Sequence, residues 1–343
     1  MNVPPSGPAP EPVDIPQLIA RVLELSAEPE RPVHRQHVVS QVLLKRFATP
    51  QRRAGLRVGR FDLHYPERRH KDNSSAGFGW IEEFVPFGSG SIEKLWQDTE
   101  NRLSAAFDAL DDGTLLTSSR VKATLRDTVA LHFVRSLRVR RIHQSSWRRV
   151  HAERRLRLLT DDANRVRRAA LAEHGLHLAG PAGLEYFVDL LMKPATAMYE
   201  CGALFRTALE DSFAQARAHV ADASLCIITA EEGEFLIGDD PAITVRYTVP
   251  QHAVFGVPLM DSSTILLPLG PHHLVALANK DRILTVPKQK VDELNRLQIQ
   301  AAERHVHHRP GEAITRFIRQ TCADSKQQST SSNVPRQNHD DVG

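Results

Sequence analysis

The stretch Ala223–Tyr247, ASLCIITAEEGEFLIGDDPAITVRY, followed by Thr264–Ala278, TILLPLGPHHLVALA, decides the fold. Its apolar runs are short and rich in β-branched residues. Glu-Glu-Gly, Asp-Asp-Pro and Gly-Pro separate them, which is the pattern of antiparallel strands joined by turns. Toward the C-terminus, Val291, Leu294, Leu297, Ile299 and Ala302 recur at helical spacing and predict a closing helix over residues 287–306. Toward the N-terminus, almost everything from residue 91 to 220 has helical periodicity. Ile92, Leu95, Trp96, Leu103, Phe107 and Leu110 form one stripe behind Ser91 as N-cap, and Leu125, Val129, Phe133 and Leu137 form a second inside a helical stretch from Thr117 to about Leu159. Further helices are predicted at Ile15–Leu25, His37–Phe47, Asp162–His174, Gly183–Met192 and Pro194–Val220, with an N-terminal strand at Ala54–Phe61.

This order of elements predicts an α+β fold: a mostly helical body with a small, mainly antiparallel sheet built from the N-terminal strand and the C-terminal strands. A doubly wound parallel sheet would alternate strand and helix throughout. One domain is expected over residues 13–323, with a helical middle at 91–220, a sheet-forming part at 223–286 and the closing helix at 287–306. Residues 1–12, crowded with Pro, and 324–343, almost wholly polar, are expected to be disordered tails.

Composition narrows the function classes. With 41% hydrophobic and 25% charged residues the chain is of ordinary globular type. No apolar run reaches the roughly 18 residues of a membrane span, and the N-terminus lacks the basic and apolar parts of a signal peptide, so a soluble, cytoplasmic protein without a membrane partner is expected. Cys201, Cys226 and Cys322 lie far apart and suggest neither a disulfide framework nor a thiolate zinc site. Charge is uneven. Between Arg120 and Arg168 there are 14 Arg and Lys122 against four acids, while the whole chain carries only +3. Such a cationic stretch suits phosphates and carboxylates, so nucleic acid or another anionic ligand is the expected partner. The alternative is a solvated face matched by acids of other elements.

Several motifs form a set: His37-Val-Val-Ser-Gln-Val-Leu-Leu-Lys-Arg-Phe47, the following GLRVGRFD, the GDDP turn at Gly238–Pro241, the strand pair ILLPLGPHHLVAL and the helix VDELNRLQIQAAERHV. Together they resemble the bacterial domain-of-unknown-function family 4238, over roughly Val33 to Arg309. The resemblance implies a fold unit and a shared set of polar positions, and no established activity. The chain departs from the family pattern twice, with Ser40 where Pro is usual and Asp240 where Asn is usual.

Candidate site residues follow from chemistry. His37 and Gln41, read as one helical turn apart, offer an imidazole and an amide to a single polar group. Asp239 and Asp240 are adjacent carboxylates at a strand edge, able to hold a divalent cation or to do acid–base work, and Glu93 and Glu100 on the helix IEKLWQDTENRL could join them. The alternative for Asp-Asp-Pro is an ordinary turn. His305 and His308, read as i and i+3 of a helix end, could face one metal ion but have no third ligand marked by spacing. Arg46, Arg138, Arg141 and Arg148 are the expected anion-binding residues. No GxSxG, Walker, GxGxxG or HExxH signature is present. Two readings result. The first is a nucleic-acid-acting protein, of the type of a metal-dependent nuclease of defence or toxin systems, with His37, Gln41, Asp239, Asp240 and Glu100 as catalytic residues and a divalent cation as cofactor. The second is a non-enzymatic module whose Arg-rich helical face meets an acidic partner.

Overall fold

The computed structural model of the chain describes residues 15–27, 32–51, 55–68, 72–248 and 252–331. The N-terminal part contains α1 (Ile15–Ala27), β1 (Arg35–His37), α2 (Gln41–Arg46), β2 (Thr49–Gln51), β3 (Gly55–Arg57), β4 (Gly59–Asp62) and β5 (Trp80–Glu82). A helical run follows: α3 (Ser89–Glu100), α4 (Leu103–Asp111), α5 (Ser119–Val134), α6 (Leu137–Leu159), α7 (Ala163–His174), α8 (Pro181–Glu200) and α9 (Ala203–Val220). The chain then passes through β6 (Ser224–Ala230), β7 (Ile237–Gly238), β8 (Ile243–Thr248), β9 (His252–Phe255), β10 (Thr264–Pro268), β11 (His273–Ala278) and β12 (Arg282–Val286). It closes with α10 (Lys288–Ala301), β13 (His305–His308) and α11 (Glu312–Ser331).

The main sheet has the order β12-β6-β11-β10-β8-β9. It is antiparallel except where β12 runs parallel to β6. The strands β6, β10 and β11 read as nearly continuous apolar runs because both faces are covered. Leu225, Ile227, Ile265, Leu267 and Val275 join the large core shared with α3, α4, α5 and α9, while Cys226, Leu266, Leu274 and Ala276 join Val291 and Leu294 of α10 on the other face. Alternate residues of one strand therefore feed two cores. At about 1.5–3 kcal/mol for each large aliphatic side chain fully buried, the strands β6, β10 and β11 hold both layers.

The fold is α+β, as expected, with the N-terminal strand placed differently. β4 pairs with β13, which pairs with β7 in a separate three-stranded sheet, and β1 pairs with β5. Three helix readings are also corrected. His37 ends a strand, and α2 begins only at Gln41. The stretch expected to be helical from Thr117 to Leu159 breaks at Arg135–Ser136, because the hydroxyls of Ser118 and Ser136 accept hydrogen bonds from Val121 N–H and Val139 N–H and so start two helices. The closing helix ends at Ala301, and His305–His308 form a strand rather than a helix end. The tail expected from residue 324 is helical as far as Ser331 as part of α11; residues 1–12 and 332–343 lie outside the described residues. Among the described residues no helix is long and apolar enough to cross a membrane.

Candidate functional site

The break between α5 and α6 places consecutive side chains in two neighbouring polar clusters. Arg135, 1% exposed, turns to α3, where its Nη2 donates to Glu100 Oε1 at 2.5 Å and its guanidinium lies 5.0 Å from the centroid of Trp96. Glu93 and Glu100 are seven residues apart, two helical turns, so both share one face of α3 and both feel Arg135. Their environments then diverge. Glu93 Oε1 is buried with no hydrogen-bond partner, and burial pushes its carboxyl up to about 7 against the pull of Arg135. Burial acts on Glu100 in the same direction, but the Arg135 charge and hydrogen bond overcome it and hold the carboxylate below its ordinary range.

Two histidines complete this cluster. Gln41 Nε2 donates to His37 Nε2 at 2.8 Å, which leaves the ring proton on Nδ1. Burial, reinforced by Arg135, lowers the affinity of His37 for a second proton, so the imidazole is neutral. His132 is fully buried. Its Nε2 accepts from Ser40 N–H at 3.2 Å while its Nδ1 donates to Thr128 O at 2.9 Å, and burial pushes its pKa down to about 4. A Pro at position 40, as the family pattern has it, would carry no N–H for that bond. Of the expected residues, the structure thus brings together His37, Gln41 and Glu100. His37 and Gln41 meet across a strand–helix junction, not along a helix.

The Asp-Asp-Pro turn forms the second cluster. Both oxygens of Asp239 are spent on backbone: Oδ1 accepts from Glu303 N–H at 2.7 Å, and Oδ2 from Arg304 N–H at 3.1 Å and His305 N–H at 2.9 Å. From the other side α10 clamps the same loop. Gln298 accepts from Gly238 N–H and donates to Pro241 O, while Asn295 accepts from Leu236 N–H and donates to Glu234 O. Asp239 is therefore a fastener, and the expectation of a free catalytic carboxylate is corrected. Asp240 is buried beside Arg138 and Ser136, and burial pushes it up to about 7. A neutral carboxyl has one donor and one acceptor, the hydrogen-bonding pattern of the amide usual at this position. Among the described residues, no three His, Cys, Asp or Glu gather as a metal-ligand set, so Asp239, Asp240 and Glu100 do not form the cation site expected of them.

His37 and Gln41 of the first cluster, and the turn and α10 of the second, belong to the motifs that carry the family resemblance. A family model described as a protein of unknown function, DUF4238, matches residues 35–312. The chain belongs to the DUF4238 family. No curated protein and no solved structure matches it.

In this DUF4238 fold the arginines are more committed than their number suggests. Arg46 is bidentate to Asp111 at 2.5 and 2.7 Å, donates to Leu269 O and lies over Phe107. Arg138 donates to Gly256 O, and Arg141 pairs with Glu303. Those three expected anion binders are engaged within the protein, each with a partner more than 100 residues away. Arg148 remains exposed and has no ion pair among the described residues, as have Arg149 and Arg154 on the same helix. Beside them Trp147 stacks on Tyr199 of α8 at 4.7 Å and 9°. His132 and Arg135 are the site residues that sequence reasoning did not single out, and Glu93 meets Glu100 and Arg135 rather than the Asp239–Asp240 turn it was expected to join. The signal available for Arg135 was the Ser136 N-cap behind it, which marks a helix start and hence a kink in the chain.

Proposed function

We propose that this chain is an acid–base enzyme acting on an anionic substrate, with nucleic acid as the substrate class. The observation that carries the reading is the pair Glu93 and Glu100, two carboxyls on one helix face whose proton affinities are pushed apart around a single buried guanidinium. Pairs separated in this way take the roles of acid and base. Glu93, protonated near neutrality and with an unused oxygen, is the proton donor; Glu100, kept ionised by Arg135, is the acceptor. His37, with its proton on Nδ1, offers a hydrogen bond to a substrate oxygen without changing charge. The exposed Arg148, Arg149 and Arg154 supply phosphate contacts, and the Trp147–Tyr199 stack beside them is a platform for bases.

The test is cleavage of mixed single- and double-stranded DNA and RNA, with and without Mg²⁺ or Mn²⁺. Glu93→Gln should lower the rate about 100-fold or more while leaving the circular dichroism spectrum unchanged. Arg148→Glu with Arg149→Glu should instead weaken binding and flatten its salt dependence. Unaltered turnover in Glu93→Gln would overturn the acid–base reading. A second reading, a binding module for an acidic partner, is favoured by the same unmatched arginines. It prevails if salt-sensitive binding occurs with no turnover of any nucleic acid.

A further inference from the structure

Val38, which follows His37 in the chain, and Leu137 are among the residues lining a cavity of about 270 Å³. Its floor is the three-stranded sheet. In the β13–β4 register His307 stands opposite Arg60 and His305 opposite Asp62, and the period of two puts both histidines on the cavity face. Phe78 and Trp80 form the wall, with the His307 ring 5.6 Å from that of Phe78.

Three features of this cavity call for a ligand. First, His307 is 1% exposed, and neither of its ring nitrogens meets a hydrogen-bond partner among the described residues; Nδ1 is fully buried. Burial keeps the ring neutral, with a pKa of about 3, and Nε2, the ring nitrogen that is not enclosed, is left to bond a ligand. Buried polar atoms are normally satisfied by hydrogen bonds. Second, the Arg60 guanidinium lies over Phe78 at 4.6 Å and has no ion pair among the described residues, because its neighbour Asp62 is taken by Nε and Nη2 of Arg304 at 3.1 and 3.0 Å. Third, Val38, Phe78, Trp80 and Leu137 make much of the lining apolar.

A bare anion would answer Arg60 but waste the apolar wall, and a hydrocarbon would leave His307 unpaired. A planar ring with a hydrogen-bonding edge and an anionic substituent answers all three. We propose that this cavity is a mononucleotide pocket, with the base packed on Phe78 and edge-bonded to His307 and the phosphate held by Arg60. Asp239, fastened by its three backbone amides, forms part of the rigid rim. The inference stands on the cavity alone and does not require the acid–base reading.

Calorimetric titration of the full chain with the four common nucleoside 5′-monophosphates, their nucleosides, ribose 5-phosphate and inorganic phosphate tests it. At least one nucleotide should bind with a Kd below about 1 mM, and both phosphate compounds that lack a base should bind about tenfold more weakly or worse. Arg60→Gln, at the exposed rim, should weaken the nucleotide about tenfold and leave the nucleoside nearly unchanged. His307→Leu should weaken nucleotide and nucleoside alike. Absence of nucleotide binding, equal binding of inorganic phosphate, or an Arg60→Gln variant indistinguishable from the natural chain would each overturn the proposal.

Discussion

Two pairs of acids, Glu93 with Glu100 on α3 and Asp239 with Asp240 in the turn after β7, show how similar burial leads to different chemistry. Each pair contains one carboxyl raised to about 7 by loss of solvent. In the turn, Asp239 gives its oxygens to three backbone N–H groups, and Gln298 and Asn295 fasten the loop on the other side. On the helix, Glu93 keeps an oxygen without a partner, while Arg135 pairs with Glu100. Burial alone therefore does not mark a site. What separates the two regions is whether the lone pairs are already used by the scaffold.

The largest expected effect concerns the hub of the helical pair. Arg135→Met should cost about 3–5 kcal/mol in urea unfolding, because it leaves Glu100 charged and without its partner in a mostly buried place. Adding Glu100→Gln should recover a good part of that loss; a double variant as unstable as the single one would mean that Arg135 acts through packing on Trp96 instead. Next comes the turn. Asp239→Asn replaces a charged acceptor of three amide hydrogen bonds by a neutral one with a single oxygen, and should cost roughly 2–3 kcal/mol. Asp240→Asn, which keeps the donor and acceptor of a neutral carboxyl, should stay within about 1 kcal/mol of the natural chain. Equal losses at 239 and 240 would erase the distinction between fastener and mimic.

The sheet was legible in the sequence because its strands are covered on both faces, so that SLCIITA and TILLPL appear as unbroken apolar runs with turn residues between them. The site was legible only in parts. His37, Gln41 and Glu100 were readable as chemistry, but Glu93 owes its state to burial that comes from the tertiary packing, and His132 and Arg135 arrive from another segment through a helix break. The histidines at 305–308 follow directly on the periodic face of α10 and so extended its pattern, when the pairing of β13 with β4 and β7 makes them a strand. The arginine-rich middle was over-read for a similar reason. Arg138, Arg141 and Arg155 find Gly256, Glu303 and Asp189, and no local count of acids could include those partners.

The smallest effect sharpens the comparison by pH. His132, His305 and His307 are neutral in the fold, with pKa values of about 4, 4 and 3, and would take up protons on unfolding below about 6.5, so they make stability fall as pH drops from there toward 4. Glu93 and Asp240 have the opposite sign. Protonated in the fold up to about 7 and ionised when unfolded above about 4.5, they make stability fall as pH rises. Between 4.5 and 6.5 these histidines, joined by His37, His143 and His273, whose proton affinity burial also lowers, outweigh the two acids, so stability rises with pH. Above 6.5 only the two acids remain. Denaturant titrations across pH should therefore show a stability maximum near 6.5, followed by a loss of roughly 1–2 kcal/mol by pH 8. Glu93→Gln should remove about half of that loss and steepen the rise between pH 4.5 and 6.5, where the Glu93 proton opposes those of the histidines. If the alkaline decline persists in full in Glu93→Gln, the proton near neutrality belongs to Asp240 alone, and α3 has no acid to donate.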